Sequence, residues 1–127
     1  MDDMYDYLKP LLKKKPAHVI LHIGSNDSPF KPAEKIVDEI LNLKIYIEKV
    51  LPSSKVYISS PTIRYDNKKA NLVLKEVTDM LTSLPIFEST IVNDNINREG
   101  VGKKGLHLNA KGSTRLALNY ISLMRCL

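Results

Sequence analysis

Two polar segments of the sequence carry residue types that could bind a ligand or transfer a proton. The first, residues 24–27 (Gly-Ser-Asn-Asp), directly follows an apolar run, and the second, residues 93–108, contains His107. An amide side chain can donate hydrogen bonds to an oxygen atom, and an imidazole can take up and release a proton near neutral pH. No group of His, Asp and Glu has metal-ligand spacing, and no glycine-rich phosphate loop occurs. We therefore expect neither a metal nor a cofactor.

The spacing of apolar residues predicts the elements that must position these two segments. Short apolar runs at 18–23, 55–60 and 86–92 are typical of buried strands. Helical spacing predicts helices over 1–15 (bent or broken near Pro10), over 32–51, over 70–84, and after the N-cap residue Asn109. The order α-β-α-β-α-β-α implies right-handed crossovers between parallel strands. We expect an α/β domain of three layers, α-β-α and flavodoxin-like, around a short parallel sheet of about three strands.

The predicted topology brings the two polar segments to one place. Ligands of parallel sheets bind outside the carboxyl ends of the strands, and both segments follow a predicted strand directly. The second segment is also longer than the ~12–15 residues beyond which a structureless loop is usually functional or disordered. A binding site at this edge of the sheet is the resulting prediction.

Composition excludes several classes of protein. The chain has 127 residues, 43% apolar and 26% charged, which fits one globular domain over 1–127 and not a disordered tail, a coiled coil or a collagen-like fibre. No apolar run reaches the ~18 residues of a membrane-spanning helix, and the N-terminus does not resemble a signal peptide. The single cysteine, Cys126, cannot form an internal disulfide, so we expect a reducing, cytoplasmic setting and no membrane partner.

The positive charge of the chain permits a nucleic-acid partner without requiring one. The net charge is +5, and the lysines occur in small groups that are typical of solvated surface. Aromatic residues make up 6% of the chain and tryptophan is absent, so the sequence shows no basic groove with stacking platforms. Nucleic-acid association is the weaker alternative.

Two stretches resemble conserved blocks of the SGNH hydrolases, the GDSL-like lipases and esterases. Residues 19–27, Val-Ile-Leu-His-Ile-Gly-Ser-Asn-Asp, resemble the third block, an apolar strand that ends in Gly-x-Asn-Asp. Residues 105–112, Gly-Leu-His-Leu-Asn-Ala-Lys-Gly, resemble the last block, in which the catalytic histidine precedes a helix. The stretches stand in the family's order with a βαβα pattern between them. The finer likeness is to degenerate esterase-like domains linked to animal retroelements.

The resemblance implies both a site and its gaps. Asn26 would donate to the oxyanion and His107 would act as the general base, with Gly24 and Asp27 contributing to the binding of a small acyl ester. The family's Gly-Asp-Ser nucleophile block and its second oxyanion glycine have no counterpart in residues 1–127. The acid position, three residues before the histidine, is Lys104. The chain therefore resembles an SGNH domain that lacks the strand bearing the nucleophile.

Other residues could in principle fill these gaps. Ser25 is a candidate nucleophile, although its hydroxyl is more typical of one that bonds the local backbone. Asp94 and Asp27 are candidate partners for His107, and Asp27 is also suited to buttressing its own turn. We interpret Ser59 and Ser60 as structural and His22, inside an apolar strand, as a core histidine.

These observations lead to two competing functions. The first is an SGNH-like esterase domain that is inactive as this chain. The second is a non-catalytic binding or assembly module. The resemblance implies that the missing nucleophile strand would pair beside residues 19–23, and this stretch has the composition of a buried central strand. We therefore also expect a strand donated by a partner or a homo-oligomer.

Overall fold

A three-stranded parallel sheet forms the centre of the protein in the computed structural model, which describes residues 4–127. Its strands are β1 (His18–His22), β2 (Lys55–Ser59) and β3 (Thr90–Ile91), in the spatial order β1-β2-β3. Val19 pairs with Val56 in β2, and Ser59 pairs with Ile91 in β3. The predicted α/β class and the short parallel sheet of three strands are confirmed.

Four α-helices surround this sheet, and they begin and end close to the predicted positions. They are α1 (Met4–Lys14), α2 (Ala33–Val50), α3 (Lys68–Ser83) and α4 (Ala110–Arg125). The predicted N-cap is confirmed, because the Asn109 side chain accepts a hydrogen bond from the Gly112 amide at 3.0 Å. Helix α1 continues through Pro10, and its first three predicted residues lie outside the described part of the chain. Over residues 4–127, no helix has both the length and the apolarity needed to cross a membrane.

The main core lies between one face of the sheet and helices α2 and α3. Alternate strand residues point to opposite faces, so Val19 and Leu21 of β1 share a face with Val56 and Ile58 of β2. These four side chains belong to the buried cluster that also contains the inner residues of α2 and α3: Ile36, Val37, Ile40, Leu43, Ile47, Val77 and Leu81. Helix α4 contacts the other face, where Tyr120 reaches Ser59. Helices therefore lie on both faces of the sheet.

The predicted third strand over 86–92 is wrong in its first half. Residues Pro85–Phe87 form a turn of 3-10 helix, and only Thr90–Ile91 is a strand. Pro85 has a fixed φ and no amide hydrogen for a sheet, so it favours the start of a helical turn. Phe87 is only 2% exposed and anchors this turn in the core. The apolar run thus reflects the burial of a turn as well as of a strand.

Strand β1 forms one edge of the sheet. None of the other strands in residues 4–127 pairs with its outer side, as the sequence led us to expect. The prediction of a core histidine at position 22 is wrong, because His22 is exposed at the end of β1, although its Nδ1 atom contacts the buried Ser59 hydroxyl. It lies on the strand face that carries His18 and Ile20, opposite the face that packs against α2. This edge and this face lead to the candidate site.

Candidate functional site

A tight turn after β1 presents the first group of predicted site residues. Gly24 has a φ of +114°, a conformation that favours glycine, and it changes the chain direction directly after the strand. The Asp27 amide donates to the Gly24 carbonyl at 3.3 Å, and the Ser28 amide donates to the Ser25 carbonyl at the same distance. Asn26, at the tip of this turn, is exposed. The turn therefore holds the Asn26 amide at the carboxyl end of the sheet.

A second hydrogen-bonded loop carries His107 to the same end. The Gly102 amide donates to the His107 carbonyl at 2.8 Å, and the Asn109 amide donates to the Gly100 carbonyl at 3.0 Å. Val101 and Leu108 form an isolated antiparallel bridge between the two arms of the loop. His107 is exposed and stands two residues before the cap of α4. The loop and the cap of α4 together fix the backbone of His107.

The turn and the loop face one open depression of about 560 Å³. Its lining includes all four predicted site residues: Gly24, Asn26, Asp27 and His107. Ser25 and His22 add further polar groups. The rest of the lining is mostly apolar and includes Met4 and Tyr7 of α1, together with Ile23, Pro61, Thr62, Leu106, Leu108 and Leu116. The structure thus brings the predicted residues together, and the roles assigned to them stay predictions.

The residues considered as replacements for the missing triad members do not assemble a triad. Over residues 4–127, no hydrogen bond or ion pair joins the His107 side chain to a carboxylate. Asp27 lines the depression but lies 3.5 Å from the Lys31 ammonium, and Asp94 lines a separate depression of about 140 Å³. Lys31 also contacts Glu39 at 2.9 Å, so the Asp27 side chain belongs to a cluster of ion pairs near the start of α2.

The Ser25 hydroxyl does not bond the local backbone in the way we expected. Instead, the Ser28 hydroxyl donates to the Ser25 carbonyl at 2.7 Å. Ser28 is fully buried beneath the turn and can make this bond, whereas Ser25 is only half-buried beside the depression. Within the part of the chain that the structure describes, no histidine is hydrogen-bonded to Ser25. Ser25 therefore lacks the adjacent base that a serine nucleophile requires.

Arg64, which sequence reasoning missed, connects the two halves of the site. Its guanidinium forms a two-bond fork with Asp66 at 2.9 and 2.7 Å, and its third nitrogen donates to the Ser25 carbonyl at 2.9 Å. The next residue, Tyr65, donates its amide to the Gly105 carbonyl at 2.6 Å. The loop after β2 thus holds the Asn26 turn on one side and the His107 loop on the other. The Arg-x-Asp spacing after the second apolar run was the only sequence signal for it.

The charges around this connection reinforce it. The hydrogen bonds from Arg64 are the largest cause of a lowered pKa at Asp66, and the nearby charge of His107 contributes in the same direction. The influence of His107 on Asp66 is the smallest of these and is purely electrostatic, since no hydrogen bond joins the two side chains in residues 4–127. The Arg64 side chain is only 9% exposed, so this ion pair is more strongly coupled than an ordinary surface pair. Arg64 stabilises the site and leaves the depression itself open.

Ser59 and Ser60 lie next to each other at the carboxyl end of β2, and both are fully buried. The Ser60 hydroxyl accepts a hydrogen bond from the backbone amide of Asn93 at 2.8 Å. The Ser59 hydroxyl contacts the side chains of His22, Asn93 and Tyr120. These contacts are consistent with the structural interpretation of both serines. Burial is the largest influence on His22, and it lowers the pKa of this side chain below the ordinary value.

Comparison with known proteins does not assign a family to this chain. No family model matches the sequence, and no curated protein matches it either. The likeness to SGNH hydrolases therefore depends on the two sequence blocks and on the geometry that they share. It enters below as a proposal.

Proposed function

We propose that this chain is a degenerate SGNH-hydrolase-like domain, an incomplete version of the flavodoxin-like three-layer fold, which binds an acyl ligand without hydrolysing it. The observation that carries the proposal is the shared depression of Asn26 and His107. Residues 81 positions apart in sequence meet at the carboxyl ends of parallel strands, where α/β proteins bind their ligands. The two sequence motifs and the placement of these residues both support the interpretation of the depression as an SGNH-like site.

The composition of the depression suits an acyl group. The Asn26 amide lies at an exposed turn tip and can donate to a carbonyl or carboxylate oxygen. Leucine and isoleucine side chains, together with Met4, Tyr7 and Pro61, form the apolar part of the lining, which favours a hydrocarbon tail. A ligand with an oxygen-bearing head and a short apolar tail, such as a medium-chain carboxylate, would satisfy both parts.

Turnover by this chain is not supported, because the candidate reacting groups within residues 4–127 are not in mutual contact. Ser25 has no hydrogen-bonded base among the described residues, and Ser59 is fully buried with its hydroxyl already bonded to other side chains. His107 has no hydrogen-bonded carboxylate in residues 4–127 to orient it. A serine hydrolase needs nucleophile, base and orienting acid in mutual contact. The site retains features for binding and lacks those for acyl transfer.

The absence of turnover is tested with p-nitrophenyl acetate and a fluorophosphonate probe. We expect hydrolysis no faster than that by the same concentration of free imidazole, and no covalent label. His107→Ala should then leave the rate unchanged. Turnover that disappears in His107→Ala and in Ser25→Ala would contradict the proposal and would show that Ser25 is a nucleophile.

Binding is tested by titrating ¹⁵N-labelled protein with sodium octanoate. We expect saturable shifts of the amide signals in residues 24–27 and 105–108, and weaker binding by Asn26→Ala. The matched control is Asn42→Ala, which removes the same group from an exposed position on α2, away from the depression. If octanoate shifts no signal in either segment, or if Asn26→Ala binds as tightly as Asn42→Ala, the proposed function is wrong.

One further observation favours assembly as a second function of the same domain. The outer edge of β1 has no strand partner in residues 4–127, although Val19 and Leu21 beside it belong to the buried core. An edge of this kind, with no lysine or proline of its own, is a template for pairing with another strand. We propose that a second copy or a strand-donating partner pairs with β1, and that light scattering over a concentration series detects self-association.

A further inference from the structure

Ser59 is the centre of a buried hydrogen-bond cluster on the α4 side of the sheet. It is 0% exposed and lies at the end of β2, next to His22 at the end of β1. Its hydroxyl oxygen meets three side chains: His22 Nδ1 at 2.9 Å, Asn93 Nδ2 at 2.8 Å and Tyr120 Oη at 2.8 Å. A hydroxyl has two lone pairs and one proton, so three partners use all of its capacity.

The Asn93 amide can have only one orientation in this cluster. Its nitrogen donates to the Ser60 carbonyl at 2.7 Å as well as to Ser59, and its oxygen accepts from Asn119 at 3.0 Å. A rotated amide would place an oxygen against the Ser60 carbonyl and a nitrogen against the Asn119 donor. Asn93 is therefore a donor to Ser59, and it occupies one of the two serine lone pairs.

The remaining partners then determine where the proton of Ser59 lies. Tyr120 donates its hydroxyl proton to Ser59 and occupies the second lone pair. With Tyr120 as the donor of this pair, the Ser59 proton points to His22 Nδ1, which accepts it. A neutral imidazole that accepts at Nδ1 carries its own proton at Nε2. The burial that lowers the pKa of His22 favours this neutral form, while a hydrogen bond with the Ser59 backbone acts in the opposite direction.

We propose that His22, held by Ser59 with its proton on Nε2, is a second ligand-binding donor of the depression and contacts the oxygen head of the acyl ligand together with Asn26. His22 lines the depression, and it is the Nδ1 atom of its ring that contacts the Ser59 hydroxyl, at 2.9 Å. The identity of the ligand rests on the proposed function, whereas the protonation of the ring does not.

This assignment restricts what the depression accepts. A protonated Nε2 cannot accept a hydrogen bond. A ligand hydroxyl or ammonium group therefore cannot donate its proton to the neutral His22 ring at this atom. A carbonyl or carboxylate oxygen gains a bond from His22 in addition to the Asn26 amide. The same reasoning excludes His22 as the general base for a reaction in the depression, because its Nε2 atom already carries a proton.

The protonation of the ring is measured directly in ligand-free protein. Long-range ¹H–¹⁵N spectra of the histidine rings distinguish the two neutral tautomers, and His18, on the same strand, serves as the internal reference. We expect His22 in the Nε2–H form near neutral pH. Ser59→Ala should convert it to a mixture of tautomers, whereas Ser60→Ala, which alters the adjacent buried serine, should not. A wild-type His22 in the Nδ1–H form, or in an even mixture, overturns the proposal without reference to any variant.

The ligand contact is tested by the octanoate titration, read at the histidine rings. We expect the His22 Nε2 signal to shift together with the signals of residues 24–27. His22→Leu should weaken octanoate binding about tenfold, the loss expected for one hydrogen bond to a charged group, while His18→Leu should not. Shifts at residues 24–27 without a shift at His22 would overturn this inference and leave the proposed function intact. If octanoate shifts none of these signals, the proposed function fails and the ligand contact of His22 fails with it.

Discussion

Replacing Gly105 with alanine should disrupt the packing of the His107 loop against residues 65 and 66. Gly105 is buried and has a φ of +78°, which an alanine side chain disfavours. A Cβ atom at this position would lie 2.7 Å from the Asp66 amide nitrogen and 2.7 Å from the Tyr65 carbonyl carbon. Both neighbours are backbone atoms of the loop that carries Arg64, so neither can turn away as a side-chain tip could.

The magnitude follows from two costs and one gain. The positive φ costs alanine about 1–2 kcal/mol, and forcing a methyl group into a packed backbone contact costs about 1–3 kcal/mol. The alanine substitution also reduces the freedom of the unfolded chain, which returns about 0.4–1 kcal/mol. The steric and conformational costs exceed the gain from the unfolded chain, so we expect the free energy of unfolding to fall by about 3 kcal/mol. Part of this loss is the hydrogen bond from the Tyr65 amide to the Gly105 carbonyl.

Urea unfolding followed by circular dichroism measures this loss. Gly102→Ala is the matched control in the same loop, because its Cβ would meet only the His107 carbonyl oxygen at 3.4 Å, an ordinary contact distance. We expect the control to change stability by less than about 1 kcal/mol. If Gly105→Ala unfolds at the same urea concentration as Gly102→Ala, the close packing of the His107 loop on residues 65 and 66 is wrong.

Three further predictions concern the site and the sheet edge. Arg64→Lys should lower the free energy of unfolding by about 1–2 kcal/mol, because an ammonium cannot replace the fork to Asp66 and the bond to Ser25 together; urea unfolding equal to wild type would contradict this. The unfolded chain takes up a proton at His22 more readily than the folded chain does, so stability should fall as the pH decreases through the ordinary histidine value of 6.5 and below. His22→Gln should reduce this pH dependence in unfolding measured from about pH 7.5 to about pH 5, and an unchanged slope would assign it to another group. Ile20→Lys should prevent self-association through β1, since a charge on an edge strand opposes pairing with a second strand. If the wild type and Ile20→Lys scatter light equally over the concentration series, copies of the chain do not associate through β1.

The features that the sequence predicted well are those determined by local spacing. Apolar periodicity located the four helices and the first two strands, and the alternation of helix and strand placed residues 24–27 and His107 at one edge. Local patterns gave the wrong element where a strand and a helical turn would bury the same residues. The run after Pro85 forms a 3-10 turn before the short β3, because burial of Phe87 is compatible with either conformation.

The contacts that support the site could not be read from spacing, because they join distant side chains. Arg64 reaches a carbonyl 39 residues away, and His22 reaches Ser59 across 37 residues. His22 lies in a run of apolar residues and was therefore assigned to the core. Its position at the end of an edge strand, on the face away from α2, depends on the order of the strands in the sheet. Only the folded arrangement shows that it lines the depression.

The two walls of the depression differ in how firmly they are anchored. Helix α2, which follows the Asn26 turn, has six buried residues, whereas Gly112 is the only buried residue of α4, which follows His107. Local unfolding begins where few side chains are buried, so α4 and the loop before it can open while the α2 side stays native. A ligand that touches both walls binds only the closed form, and it raises the free energy of this opening with the logarithm of the ratio of ligand concentration to Kd. Occupancy of the site would thus be registered as slower exchange of the α4 amide hydrogens, far along the chain from the Asn26 turn.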